Sequence, residues 1–111
     1  MTKKLITLHG RKACAGKASG VPRVVLDQGD LSNVNEGDVL VARETTIEFV
    51  PAMQKASAIV TETGGRFCHA AVWARENNKP TLLQVEGATT ILDGLDGVVV
   101  DADSSTITAE V

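Results

Sequence analysis

Residues Thr61–Glu76, which read TETGGRFCHAAVWARE, predict the end of a strand, a tight turn and then a helix. The run Ser57–Thr61 is apolar and β-branched over a length typical of a buried strand. Gly64-Gly65 gives the backbone a freedom that residues with a Cβ lack, which favours a sharp reversal. We expect the helix to open at Cys68–His69 and to end at Asn77-Asn78.

The helical phase of this stretch separates an apolar face from the histidine. At about 100° per residue, one face carries the i, i+3, i+4, i+7 series Phe67, Ala70, Ala71 and Ala74. His69 points to the opposite face, together with Val72, Trp73 and Glu76. A helix N-terminus offers free N–H groups and a partial positive charge, which suit a phosphate or another oxyanion. The sequence therefore predicts an outward-facing histidine at an anion-binding position.

The composition is that of one soluble globular domain, residues 1–111, with 43% hydrophobic and 23% charged residues. Because aromatic residues make up 3% of the chain, we expect a core of Val, Ile, Leu and Ala. No apolar run reaches the roughly 18 residues of a membrane span, and no signal-peptide pattern follows Met1, so a cytoplasmic protein without membrane contact is expected. A net charge of −3 with scattered Lys and Arg argues against nucleic-acid binding.

The remaining chain alternates strand-like and helix-like segments. Strands are predicted at residues 3–8, 21–27, 39–42, 80–85, 98–101 and 106–109, of which the last two form a hairpin. Pro22 favours an edge position for its strand. A helix capped by Thr45 or Thr46, with Pro51 near its start, buries Phe49, Ala52, Met53 and Ala56. This order predicts a single α/β domain with two main helices on a mixed sheet, not a doubly wound nucleotide fold.

Two segments are predicted to be irregular. Residues 9–20, HGRKACAGKASG, contain little bulk and are interpreted as a loop that does not match the Walker A spacing. Both a surface connector and a loop that approaches a ligand remain open for it. Residues 88–92 and the following Asp93-Gly94 and Asp96-Gly97 pairs are interpreted as turns.

Four hypotheses for His69 compete. A histidine satisfied in the core would lie on the alanine face, where His69 does not lie. A zinc ligand would need partners, and the available His9, Cys14 and Cys68 have no structural zinc spacing. A Cys–His nucleophile pair is disfavoured because Cys68 and His69 are helical neighbours that do not face each other. Two cysteines in the chain favour reduced thiols over a disulfide.

In the fourth hypothesis His69 is itself the nucleophile. Histidine titrates near neutrality, so a neutral ring nitrogen is available to take a phosphoryl group. Phosphoryl transfer requires mostly positioning and charge stabilisation. The candidate phosphate-stabilising residues are Thr61, Thr63, Gly64, Gly65, Arg66 and Cys68. For Arg66, a solvated loop charge is the alternative.

The stretch TETGGRFCHAAVWARE closely resembles the phosphohistidine signature T-x-x-G-G-x-[ST]-[SC]-H-x-A-x-x-A-R-E. That signature belongs to the PEP-utilising enzymes: phosphoenolpyruvate synthase, pyruvate phosphate dikinase and enzyme I of the sugar phosphotransferase system. Residues 37–65 are similar to the family's G-D-V-L-V … T-T-P-D … P-x-M-x-K-A-x-A-I-V-T-x-x-G-G, and residues 17–25 and 93–103 to its early and closing strands. Cys68 before the histidine looks most like the synthase branch.

The resemblance implies a swivelling β/β/α domain whose phosphorylated histidine is His69. In this family the histidine carries a phosphoryl group between an ATP-grasp nucleotide-binding domain and a phosphoenolpyruvate/pyruvate-binding barrel domain. No cofactor is expected on the domain itself, and Mg²⁺ only at the partner sites. Because 111 residues leave no room for those domains, we expect a phosphotransferase component that works in trans or was cut from a longer chain. Met1 and the absence of linker sequence favour the version in trans.

The chain also departs from the family pattern. Residues 77–84, NNKPTLLQ, stand where the family usually has Leu-Gly-Ile-Pro-Ala-Val-Val-Gly. Phe67 replaces a Thr or Ser, and Trp73 replaces a small aliphatic residue one turn below His69. We expect Val72 and Trp73 to form an exposed docking patch for a partner, and for Trp73 the alternative is local cover over the helix flank.

Three functions therefore stay open, and a phosphohistidine carrier is the leading one. The alternative is a non-catalytic binding or regulatory module that retains the fold, which the departures at Phe67 and Gln84 favour. A metal or redox protein that uses Cys14 and Cys68 is the third.

Overall fold

A computed structural model describes residues 4–110, and within them the chain forms nine strands in two sheets. The strands are β1 (Leu5–His9), β2 (Arg11–Cys14), β3 (Lys17–Gly20), β4 (Pro22–Val25), β5 (Val39–Ala42), β6 (Ala58–Thr61), β7 (Thr81–Leu83), β8 (Val98–Asp101) and β9 (Thr106–Glu110). The helices are α1 (Val50–Lys55), α2 (His69–Asn77) and α3 (Ala88–Ile91), with 3-10 helices at Gln28–Asn33 and Ile47–Phe49. None of the helices described is long and apolar enough to cross a membrane.

The two sheets differ in strand direction and in burial. The first has the order β1-β9-β8-β3 and is antiparallel, and its strands β8 and β9 bury alternate residues, as expected when one face covers a core. The second has the order β2-β7-β6-β5-β4, in which β4 to β7 run parallel and β2 pairs antiparallel with β7. Every residue of β5 and β6 is buried, because both faces of these strands are covered.

Three layers follow from this burial. The core between the sheets contains Val39, Val41, Ala58, Val60 and Leu82 of the second sheet and Val98, Val100, Ile107 and Ala109 of the first. On the other face of the second sheet, Leu40 and Ile59 pack with Ala52 and Met53 of α1. Leu83 packs with the small residues Ala70 and Ala71 of α2, which let that helix lie close to the sheet. This β/β/α arrangement, with two main helices on a mixed sheet, confirms the predicted α/β fold class.

Several local predictions are confirmed. The strand that contains Pro22 is the edge of the second sheet, and β8 and β9 form the expected hairpin. Helix α2 ends where Asn78 adopts a left-handed conformation with φ of 54°. The helix expected after Thr45 or Thr46 begins as the 3-10 helix and continues as α1, although the Thr46 hydroxyl donates to Glu48 at 2.6 Å instead of capping it. The first strand starts at Leu5, and residue 3 of its predicted range lies outside the described residues.

Three local predictions were wrong. Residues 9–20, interpreted as a loop, contain the end of β1 and all of β2 and β3, which pair with β7 and β8. Small and charged residues dominate these strands, so no apolar alternation marks them, and distant partners decide their pairing. Residues 88–92, interpreted as turns, form the one-turn helix α3. Phe67, assigned to the buried helical face, precedes the helix and is 81% exposed.

Candidate functional site

The site around His69 is built at the carboxyl ends of the parallel strands β5 and β6. Thr45 follows β5, Thr61 ends β6, and residues 62–68 lead from β6 into α2. Carboxyl ends of neighbouring parallel strands lie at the same edge of a sheet, which is where open α/β sheets bind ligands. The cavity at this edge has a volume of about 250 Å³ and is lined by Glu44, Thr45, Thr61, Thr63, Gly64, Cys68, His69 and Ala70.

The imidazole of His69 is oriented by a hydrogen bond to Thr45. Nδ1 of His69 lies 2.9 Å from Oγ1 of Thr45, which is buried, while His69 itself is half-buried. In the tautomer that carries its proton on Nδ1, this N–H donates to Oγ1 and Nε2 keeps a free lone pair. The sequence marked Thr45 only as a helix cap, so the residue that orients the histidine was missed.

Two exposed glutamates bring negative charge close to His69. Glu44 lines the cavity. The carboxylate of Glu48 accepts a hydrogen bond from Oγ1 of Thr46, and this bond is the largest cause of a lowered pKa of Glu48. The positive form of His69 adds the smallest lowering of that pKa, so the two side chains interact. Because both carboxylates are exposed, solvent weakens their repulsion of an anionic ligand.

Thr61 and Thr63 line the cavity, but their hydroxyls donate hydrogen bonds to backbone carbonyls of the protein. Oγ1 of Thr61 donates to the carbonyl of Thr63 at 2.7 Å, and Oγ1 of Thr63 donates to the carbonyl of Arg43 at 2.9 Å. Both bonds shape the loop beside His69. Direct donation from these hydroxyls to a phosphate stays a prediction, since each proton would have to be redirected.

Gly64 is the position of the turn at which glycine is required. Its φ of 109° is a conformation that residues with a Cβ rarely adopt, and an added Cβ would lie 2.9 Å from Sγ of Cys68. A Cβ on Gly65 would meet nothing within 4 Å. The predicted glycine turn is therefore confirmed, and of its two glycines Gly64 is the one whose backbone requires glycine.

The carbonyl oxygens of residues 63–66 all accept hydrogen bonds. In that order, their donors are Oγ1 of Thr61, Nε2 of Gln84 at 2.9 Å, the backbone N of Cys68 at 3.0 Å, and Nη2 of Arg75. The backbone amides of residues 64–67 donate no hydrogen bond to any residue in the described range 4–110. The loop thus directs its oxygens to the protein, and donation from its N–H groups, next to the start of α2, to an anion stays a prediction.

Gly65 and Arg66 do not line the cavity. The guanidinium of Arg66 lies over the ring of Phe67, 5.6 Å from its centroid, and both side chains are exposed. The structure therefore brings four of the six candidate phosphate-stabilising residues to His69, namely Thr61, Thr63, Gly64 and Cys68. A contact between Arg66 and a phosphate stays a prediction that requires the side chain to leave Phe67.

Cys68 lies at the N-cap of α2 as a half-buried free thiol, and Cys14 is also free. Val72 is 39% exposed, whereas Trp73 is half-buried and packs against the cluster of α1 and the second sheet. The prediction that Trp73 is an exposed aromatic was therefore wrong, and the alternative of local cover applies to it. Docking of a partner at these two residues stays a prediction.

The departures from the family pattern at residues 78 and 84 occur at positive φ. Asn78 has φ of 54° and Gln84 has φ of 57°. Both stand where the family pattern has glycine, the residue that adopts such angles most readily. At these two positions the chain therefore keeps a conformation that glycine favours while it adds a side chain.

Glu62, between Thr61 and Thr63, connects the site to α3. Its carboxylate accepts hydrogen bonds from Oγ1 and the backbone N of Thr89, at 2.6 and 2.8 Å, in the first turn of that helix. These bonds lower the pKa of Glu62 from 4.5, with the hydroxyl bond as the larger cause. A carboxyl group whose pKa is lower in the folded than in the unfolded state stabilises the fold. This stabilisation is complete at a pH above the pKa of the unfolded state and is lost as the pH falls through the pKa of the folded state.

Replacing Glu62 by glutamine is therefore expected to destabilise the fold at pH 7 by about 1 kcal/mol, because the charged acceptor of two hydrogen bonds is lost. The difference from the wild type should shrink as the pH is lowered through and below 4.5. Urea unfolding at several pH values measures both, with the exposed Glu86→Gln as control. A difference that stays constant with pH would contradict this role of Glu62.

The zinc hypothesis finds no ligand set in residues 4–110, since no three His, Cys, Asp or Glu side chains there are grouped to hold a metal ion. A wider groove, of about 730 Å³, lies at the start of β4 and β8 and has no histidine or cysteine in its lining. Of these two cavities, the one beside His69 is therefore the one with a histidine and a cysteine in its lining.

Comparison with known proteins decides the family. A family model described as the PEP-utilising enzyme, mobile domain, matches residues 34–105, which include the whole site. The chain belongs to this family. Relatives of this mobile domain include a probable phosphoenolpyruvate synthase of Archaeoglobus fulgidus, 45% identical over 88% of the chain, and a phosphoenolpyruvate synthase of Helicobacter pylori, 42% identical over 78% of it. The chain spans 13% and 11% of the length of these two relatives.

One solved structure agrees with this assignment, and another shares the fold alone. The NMR structure of Enzyme I aligns with 69% of this chain and with 32% of the Enzyme I chain, with a TM-score of 0.57 and 26% identity. Aconitase X of Thermococcus kodakaraensis matches 96% of the chain and 98% of its own with a TM-score of 0.67, but at 19% identity. The second likeness shows a shared fold alone, so the fold by itself does not assign phosphoryl chemistry.

Proposed function

We propose that this mobile domain is a phosphoryl carrier and that Nε2 of His69 accepts the phosphoryl group. The observation that carries the proposal is the bond between Nδ1 of His69 and Oγ1 of Thr45, at the start of α2 within the family's histidine motif. In the tautomer that carries its proton on Nδ1, that bond leaves Nε2 as the ring nitrogen with a free lone pair.

The transfer is a displacement at phosphorus. The Nε2 lone pair forms the N–P bond, and the electron pair of the breaking P–O bond goes to the oxygen of the leaving group. The proton stays on Nδ1, and the ring gains positive charge as the bond forms. The Nδ1–H bond to Thr45 becomes charge-assisted at that moment, so it stabilises the transition state more than the free domain.

The phosphoryl oxygens need hydrogen-bond donors during this step. The amides of residues 64–67 and the first turn of α2 are the available donors, because the carbonyls of the loop already bond within the protein. Cys68 and the hydroxyls of Thr61 and Thr63 border the same space. Arg66 joins this set on leaving Phe67.

The partners in this proposal are the other domains of a phosphoenolpyruvate synthase-like system. The relatives are much longer than this chain, which leaves room in them for such domains beside the mobile domain. His69 would take the phosphoryl group at a nucleotide-binding domain and deliver it at a phosphoenolpyruvate/pyruvate-binding domain, or the reverse. Mg²⁺ is assigned to those partner sites, and the setting is cytoplasmic.

The experiment supplies the partner in trans. The full chain is incubated with phosphoenolpyruvate and with the Archaeoglobus fulgidus relative whose own mobile-domain histidine has been replaced by alanine. We expect an increase in intact mass by one phosphoryl group, lost in acid and absent from His69→Ala. Phosphoramidate, a small phosphoryl donor that requires no docking, serves as a second donor.

His9→Ala is the matched control, because His9 is the other histidine and lies exposed on β1. It should take up the phosphoryl group like the wild type. No gain of mass with either donor would contradict the carrier and support the non-catalytic module. A gain that persists in His69→Ala would place the phosphoryl group elsewhere.

A further inference from the structure

We infer that Gln84 is a positioning residue of the His69 site, because its side chain holds the loop of residues 64–67, whose amides are the proposed donors to the phosphoryl group. The inference rests on the proposed function and adds a residue that the function does not require by itself. The contact that carries it is the hydrogen bond from Nε2 of Gln84 to the carbonyl of Gly64, at 2.9 Å.

Gln84 stands at a place from which it can fix that loop. It directly follows β7, which pairs with β6, and the next residue, Val85, donates its backbone N–H to the carbonyl of Thr61 at 2.9 Å. Leu83, just before it, packs against Ala70 and Ala71 of α2. The backbone of Gln84 is thus anchored to both elements that the loop connects.

The bond at Gly64 also orients an amide. Gly64 lines the cavity beside His69, and its carbonyl shares one planar peptide unit with the N–H of Gly65. In a trans peptide these two groups point in opposite directions. When Gln84 holds the carbonyl, the Gly65 N–H is held pointing the opposite way within the same plane, and a flip of this unit would put an oxygen in place of the proposed donor.

The backbone of Gln84 makes this side chain informative. Its φ of 57° is unfavourable for glutamine and is tolerated far better by glycine or asparagine. The chain therefore has a long amide side chain at a position where the backbone conformation is energetically unfavourable for any residue with such a side chain. A side-chain role at Gly64 explains that choice.

The test uses Gln84→Gly and Gln84→Asn in the full chain, with phosphoramidate as the donor. Glycine removes the amide, and asparagine keeps an amide that is one methylene too short to reach. Both should raise the urea midpoint of unfolding or leave it unchanged, since both accept the backbone angle. Both should lower the initial rate of His69 phosphorylation about five-fold, which corresponds to about 1 kcal/mol.

Two further readouts separate positioning from a merely structural role. The pH profile of phosphorylation should keep its shape, because Thr45 and not Gln84 contacts the ring. The backbone amide of Gly65 should become more mobile in both variants by ¹⁵N relaxation. A rate and a Gly65 amide equal to those of the wild type would overturn the role of Gln84 and leave the carrier intact. A wild type that takes up no phosphoryl group would overturn the carrier, and with it this role.

Discussion

Replacing Gly64 by alanine is expected to lower the free energy of unfolding by about 2 kcal/mol and to remove most phosphoryl uptake by His69. The φ of 109° at this position is unfavourable for alanine, and the added Cβ would lie 2.9 Å from Sγ of Cys68. The chain must then move either the loop or the start of α2. Either movement displaces the amides beside the nucleophile, so activity falls further than stability alone would explain.

Gly65→Ala is the matched control for this prediction. A Cβ at Gly65 meets no atom within 4 Å, so the change in stability should stay within about 0.5 kcal/mol. Urea unfolding followed by circular dichroism gives the stabilities, and intact mass after timed exposure to phosphoramidate gives the rates. Equal behaviour of the two variants would show that the turn does not depend on Gly64 as described.

Replacing Thr45 by valine is expected to slow phosphorylation of His69 at least about ten-fold. Valine has nearly the shape of threonine, so the buried site stays filled while the hydrogen bond to Nδ1 is lost. A hydrogen bond to a group that becomes charged contributes about 1.5–3 kcal/mol, and each 1.4 kcal/mol corresponds to a factor of ten in rate. The ring can then rotate, and an N–H at Nδ1 loses the oxygen that accepts its hydrogen bond.

The readouts for Thr45 are the phosphorylation rate and the tautomer of His69, the latter from ¹⁵N chemical shifts of the ring. The control is Thr46→Val, since the Thr46 hydroxyl bonds to Glu48 and not to the imidazole. We expect Thr46→Val to phosphorylate within about two-fold of the wild type. An unchanged rate and tautomer in Thr45→Val would remove Thr45 from the account.

The sequence predicted those parts of the fold whose signal is local. β5 and β6 are short runs rich in apolar and β-branched residues, α2 has its alanine face, and Asn78 marks the helix end. Each of these was recognisable without the rest of the chain. β2 and β3 were not, because Arg11–Cys14 and Lys17–Gly20 show no alternation and form strands only through partners about 70 or more residues away.

The site divides in the same way. His69, Gly64 and Cys68 belong to one contiguous motif, and the structure places all three at the cavity. Thr45 and Gln84 come from other segments, and only the parallel pairing of β5, β6 and β7 brings them to the motif. Thr45 could have been recognised because polar residues follow both buried strands, Thr45 after β5 and Thr63 after β6. Trp73 was misjudged because helical phase alone does not reveal the neighbouring α1.

The most direct measurement of the central claim is the NMR spectrum of the imidazole after exposure of the full chain to phosphoramidate. Long-range ¹H–¹⁵N and ³¹P spectra identify which nitrogen of which histidine carries phosphorus. The account predicts a single phosphohistidine at Nε2 of His69, with the Nδ1 proton retained toward Thr45. An unmodified His69, or phosphorus on His9 in its place, would contradict it.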